Sequence, residues 1–292
     1  MWVAFALVSA LSAAGTTLML KQAVARGGAV ESTVAFRAVA GLLLAALTLA
    51  VGPWPAPTPV YWRTAALVIP PEVAGMVCLT LALRAGDLSL VQPLLGTLPL
   101  FVTIVATVLL GERPTLPAAA GIVLVTLGVY AVGLRAGASP LEPLRALVRS
   151  RAGWYALAAS AAWSLATVLH KVGIREVGPF AWAVTLTLGS ALALAMALPV
   201  LWGTGRLRLP GRDVPWLRLV AAAGACFAVQ QVGLHLSLRQ ARAGYVIALT
   251  ATSTLAATAF GVVVLGERSA PRARVAASLL VSAGAAIIAL AG

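Results

Sequence analysis

Polar residues in this chain fall into short clusters, and the stretches between them are apolar runs of about the length that crosses a bilayer as a helix, ~20 residues. The pattern predicts ten spans. They lie at roughly 2–20, 31–51, 62–83, 88–110 and 116–134, then at 153–170, 179–202, 215–238, 243–265 and 272–291. A polar stretch, 135–152, carries Pro140 and Pro143 and separates five spans from five. Four prolines make the loop 52–59 non-helical, and Pro70-Pro71 is expected to interrupt span three beside Glu72. Gly121 and Gly128 share one face of span five at i, i+7, a stripe of small residues suited to close helix packing.

The halves repeat one another. Leu83-Arg84 through Leu110-Gly111-Glu112-Arg113 returns as Leu238-Arg239 through Leu265-Gly266-Glu267-Arg268, at a constant offset of 155 residues. Near the front of each half, Thr17–Lys21 returns as Thr167–Lys171. Five is an odd number of crossings, so the second half enters from the opposite face. The expectation is an inverted-topology repeat, with a solute site between the halves near mid-membrane. The domain reading is 1–134 for the first five-helix repeat, 135–152 for the linker and 153–292 for the second repeat.

Composition agrees with a membrane chain. It is 61% hydrophobic and 10% charged, with a mean hydropathy of +0.99, whereas a soluble domain is about a quarter charged. The net charge of +13 sits almost wholly between spans, where anionic lipid headgroups attract it, so nucleic acid is not the expected partner. Ala-rich Ser9–Ala14 looks like a leader cleavage site, but no basic residue precedes it and the apolar run continues. It is read as a retained first span.

Charge inside a span is costly, which makes it the sharpest filter. Seven of the eight acids lie in loops or at span ends. Glu72 lies midway along span three. It is the candidate cavity carboxylate for a solute amine or a proton, or else the structural partner of Arg37, about two turns into span two. Gln92, Gln230 and Gln231 are uncharged hydrogen-bonding groups within spans. Adjacent Gln230 and Gln231 cannot share a helix face, so one is expected toward the cavity and one toward a neighbouring helix. Trp163 and Tyr245 fall inside spans six and nine, away from the interfacial level aromatics favour. The candidate substrate-binding residues are therefore Glu72, Arg37, Gln92, Trp163, Gln230, Gln231 and Tyr245. His170 and His235 are read as packing residues near span ends, and Cys78 and Cys226 as small apolar ones. Glu112-Arg113 and Glu267-Arg268 are read as turn elements, the acid capping the following helix. No catalytic residue, metal-ligand spacing, phosphate-binding lysine motif or cofactor is indicated.

Leu-Gly-Glu-Arg closing spans four and nine, Arg84–Leu94 opening span four, and Arg37 following Phe36 early in span two resemble the drug/metabolite transporter superfamily in its EamA-type branch. The chain departs from the pattern in its second half, which lacks an Arg matching Arg37 and has Ala248 and Thr254 in place of Pro93 and Pro99. The resemblance implies an all-α integral membrane protein of ten helices in two inverted repeats, in a bacterial inner membrane. It implies a secondary transporter that exports a small organic metabolite, such as an amino acid, by alternating access. Glu72 is the candidate proton carrier, and the protein is a monomer or homodimer. The alternatives are a membrane-embedded lipid-modifying enzyme, which needs a nucleophile at headgroup level, and a structural membrane partner with no transport.

The resemblance places both termini in the cytoplasm, and the loop charges oppose it. In that orientation six basic residues lie in cytoplasmic loops and fourteen outside, with Arg37 in a span completing the 21. The positive-inside rule favours the reverse. A cysteine at position 292, in a background lacking Cys78 and Cys226, is expected to resist an impermeant thiol reagent on intact cells. Labelling would show that the charge count gives the orientation.

Overall fold

The computed structural model describes residues 1–85, 94–133, 141, 150–196, 214–253, 255–256 and 271–291, and these contain helices and no strand. Among the described residues nine helices follow in order: α1 Trp2–Arg26, α2 Ala29–Val51, α3 Pro59–Ala85, α4 Leu98–Leu110, α5 Leu116–Gly133, α6 Arg151–Ala195, α7 Val214–Gln240, α8 Ala243–Thr250 and α9 Pro271–Ala291. Among the described residues, α1, Val30–Val51 of α2, α6 and α7 are each long and apolar enough to cross a membrane. Shorter apolar helices cover Leu98–Leu110, Leu116–Ala131 and Leu279–Ala291. The linker except residues 141 and 150–152, the start of span four, the end of span seven and the latter part of span nine lie outside the described residues.

Two expectations about breaks are corrected. α3 runs without interruption from Pro59 to Ala85 through Pro70 and Pro71. Two missing N–H groups weaken the hydrogen-bond ladder, but α3 lies along α6 on both sides of the prolines and that packing carries it through. Thr58 donates to Glu176 at one end (2.8 Å), and Gly75 abuts the Trp163 indole beyond the prolines. Conversely, spans six and seven are not parted by a loop of several residues. α6 is 45 residues long, about 68 Å if straight, or twice a hydrocarbon core of about 30 Å. It is two limbs that meet at Gly178, whose φ of 79° and ψ of 167° are non-helical. Only glycine takes that conformation without strain. Pro179 then opens the second limb, where its missing N–H costs nothing.

Small residues set how closely the helices approach. Gly121 of α5 faces Gly284 and Ile288 of α9, and Gly128 faces Ala277 and Val281. Numbers rise on one helix as they fall on the other, so α5 and α9 are antiparallel. The glycine stripe read from the sequence is this seam. α1 and α7 are antiparallel in the same way. Gly15 meets Cys226, Gly233 meets the Phe5 carbonyl, and Ser237 donates to the Trp2 carbonyl at 3.1 Å. α3 and the first limb of α6 repeat the arrangement through Thr58 with Glu176 and Gly75 with Trp163. Each of these contacts joins one half of the chain to the other.

A Cβ on Gly121 would come 2.8 Å from the Gly284 carbonyl oxygen, and one on Gly284 would come 2.6 Å from that of Gly121. Both are backbone atoms that cannot rotate away. Gly121→Val and Gly284→Val are therefore expected to destabilise by about 1–3 kcal/mol each. Thermal unfolding in detergent should show this. A melting temperature unchanged in both variants would mean the seam is looser than the structure has it.

Candidate functional site

Arg37 lies on the buried face of α2 and is 6% exposed. A guanidinium in an apolar interior needs partners around it, and both halves of the chain supply them. Nη1 donates to Ser190 Oγ on the second limb of α6 at 2.7 Å. Ser190 is free to accept because its own hydroxyl hydrogen goes to the Leu186 carbonyl at 2.7 Å. Nη2 donates to Glu72 Oε1 of α3 at 3.4 Å. The planar group lies 4.9 Å from the centre of the Phe227 ring on α7 and 5.9 Å from that of Phe36, and those two rings meet edge to face at 5.3 Å. The pair is thus built from α2 and α3 of the first half and α6 and α7 of the second, each contributing a residue well inside its helix. Arg37 Nε is buried with no partner, and the Glu72 side chain keeps 13% exposure.

The other candidates distribute as follows. Trp163 on α6 stands against Gly75, which lies one helical turn from Glu72 along α3. Gln230 turns toward α1, where Thr16 Oγ1 lies 3.5 Å from its Oε1. Gln231 is 5% exposed with Oε1 buried and unpartnered, on the α7 face that carries Phe227 one turn earlier. Gln92 lies outside the described residues. Tyr245 does not join the group and its expected place is corrected. It is the third residue of α8, at a helix end. Its hydroxyl accepts from the Thr115 N–H at 3.0 Å and from Arg242 Nη1 at 2.8 Å, and its ring tilts against Trp2. These bonds make it a tie between the start of α8 and the α4–α5 turn.

Glu112 is also corrected. It does not cap α5, whose N-terminal turn is met by the Thr115 hydroxyl accepting from Ala118 N–H at 3.4 Å. Gly111, at φ 68°, ends α4 in the left-handed conformation and sends the chain on toward the other half. There Glu112 Oε2 accepts the Ala243 N–H at the start of α8 (2.8 Å) and Oε1 pairs with Lys171 of α6. Lys171 also donates to the Ala241 carbonyl at 2.7 Å. The acid caps a helix as expected, but one 131 residues away in sequence.

Above this tie opens a pocket of about 870 Å³ lined by Lys171, Arg175, Arg239, Arg242 and Tyr245. It is a basic mouth at one end of the bundle, remote from Glu72. Between mouth and pair lies a feature sequence reasoning missed. The rings of His170 and His235 stack at 5.3 Å and 14°, and both side chains are buried. The signal was available in the face periodicity: Phe227, Gln231 and His235 recur every four residues on α7, and Trp163, Thr167 and His170 share one face of α6. Among the described residues no cluster of three or more His, Cys, Asp or Glu could hold a metal.

No curated protein matches the chain. Solved structures do, across 29 chains. One crystal structure superposes with a TM-score of 0.75 over 99% of this chain and 96% of its own, at 18% identity, which shows a shared fold. The model of the EamA-like transporter family matches twice, over residues 1–134 and 151–290. Both matches together cover nearly the whole chain in two repeats, the first carrying Arg37 and Glu72 and the second Ser190 and Phe227, and the chain belongs to the EamA-like transporter family.

Proposed function

We propose that this membrane transporter is a gradient-driven carrier of ten spans in two inverted five-helix repeats, exporting a small zwitterionic metabolite such as an amino acid. The carrying observation is the Arg37–Glu72 pair, buried mid-helix and held by residues from both halves. A cation and an anion 3.4 Å apart complement the carboxylate and ammonium of an amino acid. Such a solute exchanges the internal pair for two pairs of its own, with no unmatched charge left behind. Phe36, Phe227 and Trp163 supply apolar walls beside it. The antiparallel seam of α5 and α9 supports the inversion. These helices close the two repeats, and a two-fold axis lying in the membrane plane sets equivalent helices antiparallel. Alternating access follows as rocking of one repeat against the other around a central site.

Glu72→Gln keeps a hydrogen-bond acceptor for Arg37 while removing the charge. In liposomes the variant is expected to fold and to lose at least tenfold in amino-acid flux, about 1.4 kcal/mol of binding or more. Unchanged flux would remove Glu72 from the site. Loss of folded protein in Glu72→Gln, restored by the double variant Arg37→Met/Glu72→Leu, would show that the pair is purely structural.

A further inference from the structure

The stacked histidines are surrounded by polar atoms that lack partners. His170 Nδ1 and Nε2, His235 Nε2, Gln231 Oε1 and Trp182 Nε1 are all buried with no hydrogen bond, and the Trp182 ring meets that of His170 at 6.4 Å. His235 Nδ1 lies 2.7 Å from the Gln231 carbonyl oxygen. A carbonyl only accepts, so Nδ1 carries the hydrogen and Nε2 of the neutral ring presents a lone pair. The cluster therefore holds at least two unpaired acceptors, His235 Nε2 and Gln231 Oε1. Buried polar atoms are nearly always paired, and a concentration of exceptions marks a place that something else occupies. The pair also lies just beneath the mouth. Lys171, next to His170, and Leu238, one turn from His235, both line the open pocket.

We propose that the His170–His235 stack is the coupling site of the transporter and takes a proton from water entering through the basic mouth. This rests on the transporter reading above. The step is a transfer from hydronium or buffer to a ring nitrogen lone pair, making one imidazolium. The imidazolium so formed lies in a region where several buried polar atoms now lack partners. Glu72 is less suited to the task, since its carboxylate faces Arg37.

Charged and titratable groups on the surrounding elements are matched among themselves or stand in the mouth. On α6, Lys171 is paired with Glu112 from the end of α4, and Arg175 stands in the mouth with Arg239 of α7 and Arg242 before α8. Arg37 of α2 and Glu72 of α3 face one another. Tyr61 of α3 bonds Thr185 at 2.8 Å, and Tyr245 of α8 bonds Thr115. α1 brings Phe5 and Ser9 against Gly233, neither of them titratable. Among the described residues a proton sealed on the pair has no acid of its own to face, whereas a wetted imidazole titrates near neutral pH. Loading thus belongs to the state in which the mouth admits water, and release to a state that exposes the pair differently. That dependence on access is what coupling requires.

The chain contains only two histidines, so ¹⁵N-histidine labelling reports on this pair alone. With the full chain in liposomes, ring-nitrogen resonances followed as the pH falls from 8 to 5 are expected to move to imidazolium positions, the two residues titrating as a coupled unit. In His235→Asn the midpoint at His170 should shift. Rings that keep neutral frequencies throughout overturn the proposal. In liposomes containing an amino-acid panel, His235→Asn, or His170→Gln if the first fails to fold, should cut pH-gradient-driven accumulation at least tenfold. Exchange between equal pools should persist. Undiminished driven accumulation, or loss of exchange as well, also overturns it. If the wild-type protein moves no amino acid, the solute reading fails, and the titration still decides the histidines.

Discussion

A single cation in an apolar interior constrains much of this architecture. Arg37 cannot be left unmatched among helices packed against lipid, where a bare charge is among the most expensive groups a chain can place. Its matching groups come from three other helices: Glu72 from α3, Ser190 from α6 and the Phe227 ring from α7. None is near Arg37 in sequence except Phe36. The halves of the chain must therefore meet in one register to satisfy it. A bundle offset by one helical turn would shift Ser190 by about 5.4 Å relative to the guanidinium, beyond hydrogen-bond reach. The charge works as a specificity device for assembly as well as a candidate contact for solute.

Close approach makes that register possible. Helices in lipid have no hydrophobic drive to associate and depend on dispersion and interhelical hydrogen bonds, which small residues permit by letting backbones near one another. The glycines at 15, 75, 121, 128, 224, 233 and 284 each face another helix rather than solvent. Gly224 lies against the Phe36 carbonyl and Val39, and so fixes α7 to α2 on the side that brings Phe227 to Arg37. Packing and site chemistry are two aspects of one interface.

What the sequence disclosed and what it hid divide along the same line. The helical class and the two-fold repetition were legible because they depend on local periodicity and on the 155-residue offset. Glu72 and Arg37 stood out because charge in an apolar run is rare whatever surrounds it. Ser190 gave no sign, since a serine in a span is ordinary until an arginine is brought to it. Glu112 was read through the helix that follows it in sequence, whereas its partners Lys171 and Ala243 are set by tertiary packing. Tyr245 stood third in span nine as read and stands third in α8, and its ties to Thr115 and Arg242 are tertiary contacts that hydropathy does not reveal. The histidines were judged by depth along a span, and depth does not reveal that two rings on separate helices will stack. Gly178 was visible as a Gly-Pro boundary, but nothing local said that the turn would need only one residue.

That one-residue turn at Gly178 has a mechanical consequence. Most loops carry slack, so the helices they join can tilt independently. Here the first and second limbs of α6 share a hinge with no spare length, and Trp182, four residues past the hinge, is wedged against Gly173, five residues before it. The limbs form a bell crank: swinging one levers the other through the wedged indole. One limb carries Lys171 and the other Ser190, so movement at the mouth of the molecule is geared to movement beside Arg37. A longer linker at this position would let the two ends slip out of phase.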